Sequence, residues 1–94
     1  MSDLLSKEDL KRLLKKVPEW ELEGKKITRT VEFDDFSDAV DFINDLAEIV
    51  EDAQHHPDID IRFSKVTLSL TTQEAGGLTD IDLEVAERID NLVD

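Results

Sequence analysis

Two histidines stand side by side at positions 55 and 56, and they are the only histidines of a chain that has no cysteine. Imidazole titrates at about pH 6.5 when unperturbed, which makes it the side chain best suited to give and take protons at neutral pH. The run Glu51-Asp52-Ala53-Gln54-His55-His56-Pro57 therefore offers acid–base catalysis. A zinc centre takes three or four protein ligands. Two neighbouring imidazoles rarely serve one ion together, so no metal site is expected. The plain alternative is a pair of half-exposed loop residues.

Context favours proton transfer. Glu51 stands four residues before His55, so a helix running that far brings its carboxylate to the imidazole, fixing the tautomer and raising basicity. A solvated residue at a helix end is the other reading of Glu51. Pro57 restricts the backbone of His56 and holds the pair at the mouth of the following strand. No Ser/His/Asp arrangement, glycine-rich phosphate loop or basic aromatic patch competes with this run.

The elements that must position the pair follow from periodicity. Ser6-Lys7-Glu8-Asp9 reads as a capping box with Leu5 and Leu10 as its staple; Leu10, Leu13, Leu14 and Val17 share a helical face until Pro18. Trp20 and Leu22, then Ile27, Arg29, Val31 and Phe33, alternate with polar residues around a Gly24-Lys25 turn and predict two antiparallel strands. Arg29 interrupts the apolar face, which places one end of the second strand near solvent. Asp34 or Asp35 caps a second helix whose stripe is Phe36, Ala39, Val40, Ile43, Leu46, Ala47 and Val50, with Phe42 and Ile49 off it as a second seam. Ile59, Ile61 and Phe63, then Val66, Leu68 and Leu70, give a second hairpin with one buried face. After Gly76-Gly77, the capping box Thr79-Asp80-Ile81-Asp82, stapled by Leu78 and Leu83, opens a third helix through Val85, Ala86, Ile89, Leu92 and Val93. The order is α-β-β-α-β-β-α, an α+β fold with helices on one face of a four-stranded antiparallel sheet.

Residues 1–94 are expected to make one small domain, burying only about 60–65% of the surface that the unfolded chain exposes. With no disulfide to help, self-association is the expected support. Asp and Glu number 24 against 11 Lys and Arg, a net charge of −13; this field repels nucleic-acid phosphates and anionic membrane surfaces. No apolar run reaches the roughly 20 residues of a membrane helix. The Met1–Leu5 start lacks a signal-peptide pattern, so a cytoplasmic location is expected.

The spaced run Glu51-x3-His55-His56-Pro57-x5-Phe63, continued by Thr71-Thr72-Gln73-Glu74-Ala75-Gly76-Gly77-Leu78-Thr79 and by Asp82, resembles the pterin-4a-carbinolamine dehydratase family over nearly the whole chain. The resemblance implies loss of water from a 4a-hydroxytetrahydropterin to give quinonoid dihydropterin, with the pterin as substrate and neither cofactor nor metal. It makes His55 and His56 the proton-transferring pair, with His56 acting on the departing hydroxyl and Glu51 orienting His55. Pro57, Thr72, Gln73, Glu74 and Ala75 then form the rest of the pterin pocket. Asp82 belongs to the motif, although its capping box already accounts for it. Phe63 shares the parity of Ile59 and Ile61 and is expected in the core. Gln73 stands where the family has a third histidine or sometimes tryptophan. Glutamine hydrogen-bonds but transfers no proton near pH 7, so reduced but real dehydration is expected. The resemblance also implies a homodimer or homotetramer, and an aromatic amino-acid hydroxylase as pathway partner. The alternative on the same scaffold is a pterin-binding or protein-interaction module. In it the exposed helix would act as a dimerisation cofactor for a homeodomain transcription factor, with Phe42 and Ile49 as its surface.

Overall fold

Ser6 opens the regular structure: its hydroxyl accepts the Asp9 amide at 3.1 Å, satisfying one of the orphan donors of the first turn. In this computed structural model residues 4–93 are described, so Met1–Asp3 of the expected start and Asp94 lie outside the described residues. The elements run α1 (Lys7–Leu14), β1 (Glu21–Glu23), β2 (Lys26–Glu32), α2 (Phe36–Ala53), β3 (Asp58–Arg62), β4 (Lys65–Leu70) and α3 (Asp80–Val93), with a single 3₁₀ turn at Gln73–Ala75. This is the expected α-β-β-α-β-β-α order. Asp35, the second of the two candidates, caps α2 by accepting the Asp38 amide at 2.8 Å.

The four strands form one antiparallel sheet in the order β1-β2-β4-β3. Gly24 turns β1 into β2 with φ +61°, the left-handed value glycine adopts without a steric penalty. Register places Ile27 opposite Leu70 and Val31 opposite Val66, while Ile59 and Ile61 face Leu68 and Val66. One sheet face is thus apolar, and α2 and α3 cover it. Ile27, Leu46, Val66, Leu68, Leu70 and Ile89 are all fully buried, each worth about 1.5–3 kcal/mol over an exposed position. Among the described residues no helix is long and apolar enough to cross a membrane.

Three expectations need correction. Arg29 does not mark a solvent end of β2. It lies under α3, its guanidinium paired with Asp90, which also accepts the Trp20 indole N–H at 2.8 Å. On α2 the buried face is Ala39, Phe42, Leu46 and Val50, with Ile43 and Ile49 half-buried. Phe42 and Ile49 therefore belong to the core face, Phe42 stacking at 5.2 Å on Phe33, whereas Phe36, Val40 and Ala47 are exposed. The apolar residues of α2 span about half of its circumference, wider than the face that is buried, so tertiary packing and not periodicity selects which part of that arc meets the core. Finally, all of β3 is exposed, because it is an edge strand that the helices do not roof. Phe63 leaves the strand into a left-handed turn conformation (φ +58°) and is 77% exposed instead of core.

Candidate active site

The histidines sit where α2 stops. Gln54 takes a left-handed conformation (φ 53°, ψ 39°) and its amide returns to the Val50 carbonyl, which turns the chain off the helix axis. His55 and His56 follow outside any regular element, and the buried Pro57 leads into β3. The opposite wall comes from the end of β4. Thr72 and Gly77 exchange backbone hydrogen bonds of 2.9 and 3.2 Å, pinching off the 3₁₀ turn that carries Gln73 and Glu74. Gly76 closes that turn at φ +80°; a Cβ there would touch nothing, so its requirement is purely conformational.

His55 is tied down from behind. Its Nε2 lies 2.5 Å from Asp82 Oδ1, and Asp82 is fully buried in the first turn of α3. The other Asp82 oxygen accepts the Thr72 hydroxyl at 2.7 Å and the Thr79 amide at 3.0 Å. Thr72 spends its proton on Asp82, so the Thr79 hydroxyl donates to Thr72 across 2.9 Å. A carboxylate surrounded by donors takes one more from the imidazole. Nε2 then carries the hydrogen, and Nδ1 is left as the ring's bare nitrogen. Asp82 thus performs both jobs: it caps α3 as its spacing from Thr79 suggested, and it orients the histidine.

The orienting carboxylate is therefore Asp82, not Glu51. Because α2 ends at Ala53, the four-residue relation between Glu51 and His55 is broken. Glu51 instead approaches the second histidine, its Oε1 3.9 Å from His56 Nε2, with both side chains well exposed (79% and 65%). At that distance and exposure the pair is a weak surface ion contact.

Both imidazoles open on one cleft of about 310 Å³. Gln73 and Glu74 also line it, and Gln54, Asp58, Ser69 and Thr71 complete the walls. Thr72 and Asp82 stand behind His55, and neither they nor Pro57 and Ala75 form walls of the cleft. The strand residues Asp58 and Ser69 are site residues that the sequence reading missed; the available signal was their outward parity on β3 and β4, with Asp58 two residues after His56 and Ser69 its partner across the hairpin. Thr71 is fixed by donating its hydroxyl to the Lys25 carbonyl at 2.6 Å. Among the described residues no three His, Asp or Glu side chains converge as a metal site. The arrangement offers two nitrogen bases and several hydrogen-bonding groups around a space that suits a small polar ring system.

Residues 3–92 match the family model described as pterin 4 alpha carbinolamine dehydratase. A Sulfurisphaera tokodaii protein named "Putative pterin-4-alpha-carbinolamine dehydratase" is 42% identical over 89 residues, 95% of this chain and 96% of that protein. A Nostoc sp. protein of the same name is 45% identical over 92 residues, covering 98% and 99%. The fold superposes on a transcriptional coactivator/pterin dehydratase from Brucella melitensis with TM-score 0.92 and 26% identity, covering 98% of this chain and all of the other. It also resembles a pterin dehydratase-like protein identified as a RuBisCO assembly factor in the alpha-carboxysome, with TM-score 0.66 and 24% identity over 78% and 87% of the two chains.

Proposed function

The chain belongs to the pterin 4 alpha carbinolamine dehydratase family, and from that premise we propose that it dehydrates a 4a-hydroxytetrahydropterin by proton transfer through His55 and His56. The observation that carries the reading is the opening of both rings on one cleft, with His55 Nε2 already committed to Asp82.

The reaction needs two proton movements. The hydroxyl on C4a takes a proton and leaves as water while its C–O bond breaks. The neighbouring ring nitrogen gives up its N–H proton, and its electrons form the new C=N bond. His55 Nδ1 is the base: as it gains the proton, Nε2–H continues to donate to Asp82, whose carboxylate stabilises the imidazolium. His56, more open to solvent, delivers the proton to the departing hydroxyl and regains one from water. Gln73 holds the ring by hydrogen bonds in the place of a third titrating group. No cofactor enters this scheme. An aromatic amino-acid hydroxylase, which releases such carbinolamines, is the reaction class that would supply the substrate.

The test is the rate of quinonoid dihydropterin formation, followed by its absorbance, for wild type and His56→Ala. Removing one acid–base group should slow turnover by about 10²–10⁴-fold. A wild-type rate equal to that of buffer would overturn the reading.

A second role is supported by α2. Phe36 and Val40 are 53% and 37% exposed, and with half-buried Ile43 and exposed Ala47 they stand at heptad-like spacing along one side of the helix. This stripe, not Phe42 and Ile49, is the surface for a homodimer or homotetramer, or for a protein partner of the sort that the name transcriptional coactivator/pterin dehydratase suggests for the Brucella melitensis protein. Phe36→Glu together with Val40→Glu should shift sedimentation from oligomer to monomer.

A further inference from the structure

Asp82 holds His55, and Asp82 must itself be held. The last torsion of a carboxylate side chain is a broad, roughly two-fold rotor, so rotamer preference leaves its plane loosely set. Here the plane is set by what reaches Oδ2. The Thr79 amide donates to that oxygen at 3.0 Å and the Thr72 hydroxyl at 2.7 Å, which leaves Oδ1 to His55 Nε2. The amide belongs to the cap of α3 and moves with Asp82. Thr72 arrives from outside the helix, ten residues earlier in the chain.

Thr72 is fixed through its backbone. Its amide donates to the Gly77 carbonyl at 2.9 Å, and its carbonyl accepts the amides of Ala75, Gly76 and Gly77 at 3.1, 3.0 and 3.2 Å. Its hydroxyl oxygen accepts from Thr79 at 2.9 Å, which leaves its one proton for Asp82. Thr72, Thr79 and Asp82 are all buried, so water does not compete for these bonds. Among the described residues no buried side-chain polar atom lacks a partner. Loss of the Thr72 hydroxyl would therefore leave Thr79 and Asp82 each one bond short.

We propose that Thr72 is a positioning residue for the reaction: its hydroxyl fixes the Asp82 carboxylate, so that His55 keeps its hydrogen on Nε2 and a bare Nδ1. The inference rests on the dehydratase reading and adds to it a residue that touches no substrate. The family motif implies a pocket wall at this position, whereas the side chain is buried behind His55. Thr72 also leads directly into the turn that carries Gln73, so one backbone anchor serves both that turn and the carboxylate behind the base. Without the hydroxyl, the carboxylate swings about its last torsion and the imidazole follows. A misplacement of about 1 Å costs on the order of 10²-fold in rate.

The experiment measures kcat, KM and the exchange of the His55 Nε2–H with water, by nitrogen-edited NMR, for wild type, Thr72→Val and Thr72→Ser. The chain has only two histidines, and exposed His56 serves as the internal reference. Valine keeps the shape and removes the donor. It should lower kcat about tenfold to hundredfold with KM little changed, and speed the exchange about tenfold or more. Serine keeps the donor and should recover most of both losses. Ile89→Val, a core truncation on the same helix, should lower the melting temperature and leave kcat and exchange as in wild type. A rise in KM with kcat unchanged would make Thr72 a binding residue. A loss of kcat no larger than that of Ile89→Val would make it a structural one. Either result overturns the proposal and leaves dehydration intact. Where valine prevents folding, Thr72→Cys, a weaker donor, should give a kcat below that of serine, and equal values overturn the proposal. A wild-type rate equal to that of buffer overturns the dehydratase reading; the exchange measurement then still decides whether Thr72 holds the ring.

Discussion

His55 Nε2 and Asp82 Oδ1 meet at 2.5 Å although 27 residues separate them in the chain. The contact joins the end of α2 to the start of α3, so the helix packing that builds the core also sets the imidazole. Asp82→Asn keeps the shape but can present an amide N–H to Nε2, which forces the hydrogen onto Nδ1 and removes the base. We expect turnover to fall by about 10²-fold or more with little change in melting temperature. Asp82→Ala should lose activity and also about 1–3 kcal/mol of stability, since it strands buried donors. Urea unfolding beside the kinetic assay separates the two effects.

Glu51→Gln discriminates the sequence reading from the geometry. Had Glu51 oriented His55, its loss would cost as much as that of Asp82. With both partners exposed and 3.9 Å apart, we expect a change in kcat/KM of less than about threefold, and less again at high salt. A hundredfold loss would return the orienting role to Glu51.

These two carboxylates show what the sequence could and could not say. Caps and turns are local, so Ser6, Asp35, Thr79 and Gly24 announced the element boundaries, and alternation gave each strand its two faces. Parity does not say whether a face is roofed: Ile59 and Ile61 point to the helix side of an edge strand and stay 44% and 39% exposed. Nor could periodicity choose among the overlapping stripes of α2. The histidine pair was legible by composition alone. Its true carboxylate partner was not, because a left-handed Gln54 cut the helix short and the contact is made in three dimensions.

Phe63 tests the burial correction directly. Phe63→Gly trades a left-handed aromatic for the residue that tolerates φ +58°. Thermal or urea unfolding should show stability unchanged or raised by up to about 1 kcal/mol. A core phenylalanine would cost about 3–5 kcal/mol on truncation, and a loss of that size would put Phe63 back in a packed environment.

At the start of α2, Asp38 is crowded by acids. Its carboxyl is raised above the usual 3.8 by the charge of Asp35, then by desolvation, then by Asp34 and Asp41. A raised folded value means that protonation stabilises the fold. That contribution is complete below 3.8 and is lost as pH rises through the raised value. Asp38→Asn removes the titration, so the difference in urea midpoint between variant and wild type should move in the variant's favour as pH climbs through this window, then stay flat. Because the group is exposed, 0.5 M salt should shrink the effect.

Gln73 decides how much chemistry two imidazoles can do. It stands on the 3₁₀ turn across the cleft from His55 and His56, exposed, so substitution there should shift stability by no more than about 0.5 kcal/mol. Gln73→His supplies a third proton carrier at the mouth of the site. If proton delivery to the leaving hydroxyl limits turnover, kcat should rise by about tenfold or more with KM little changed. If the position only holds the ring, KM should rise and kcat stay put. In the double variant His56→Ala, Gln73→His, partial recovery of kcat would show that the new imidazole reaches the same hydroxyl. No recovery alongside an unchanged single variant would confine proton transfer to His55 and His56.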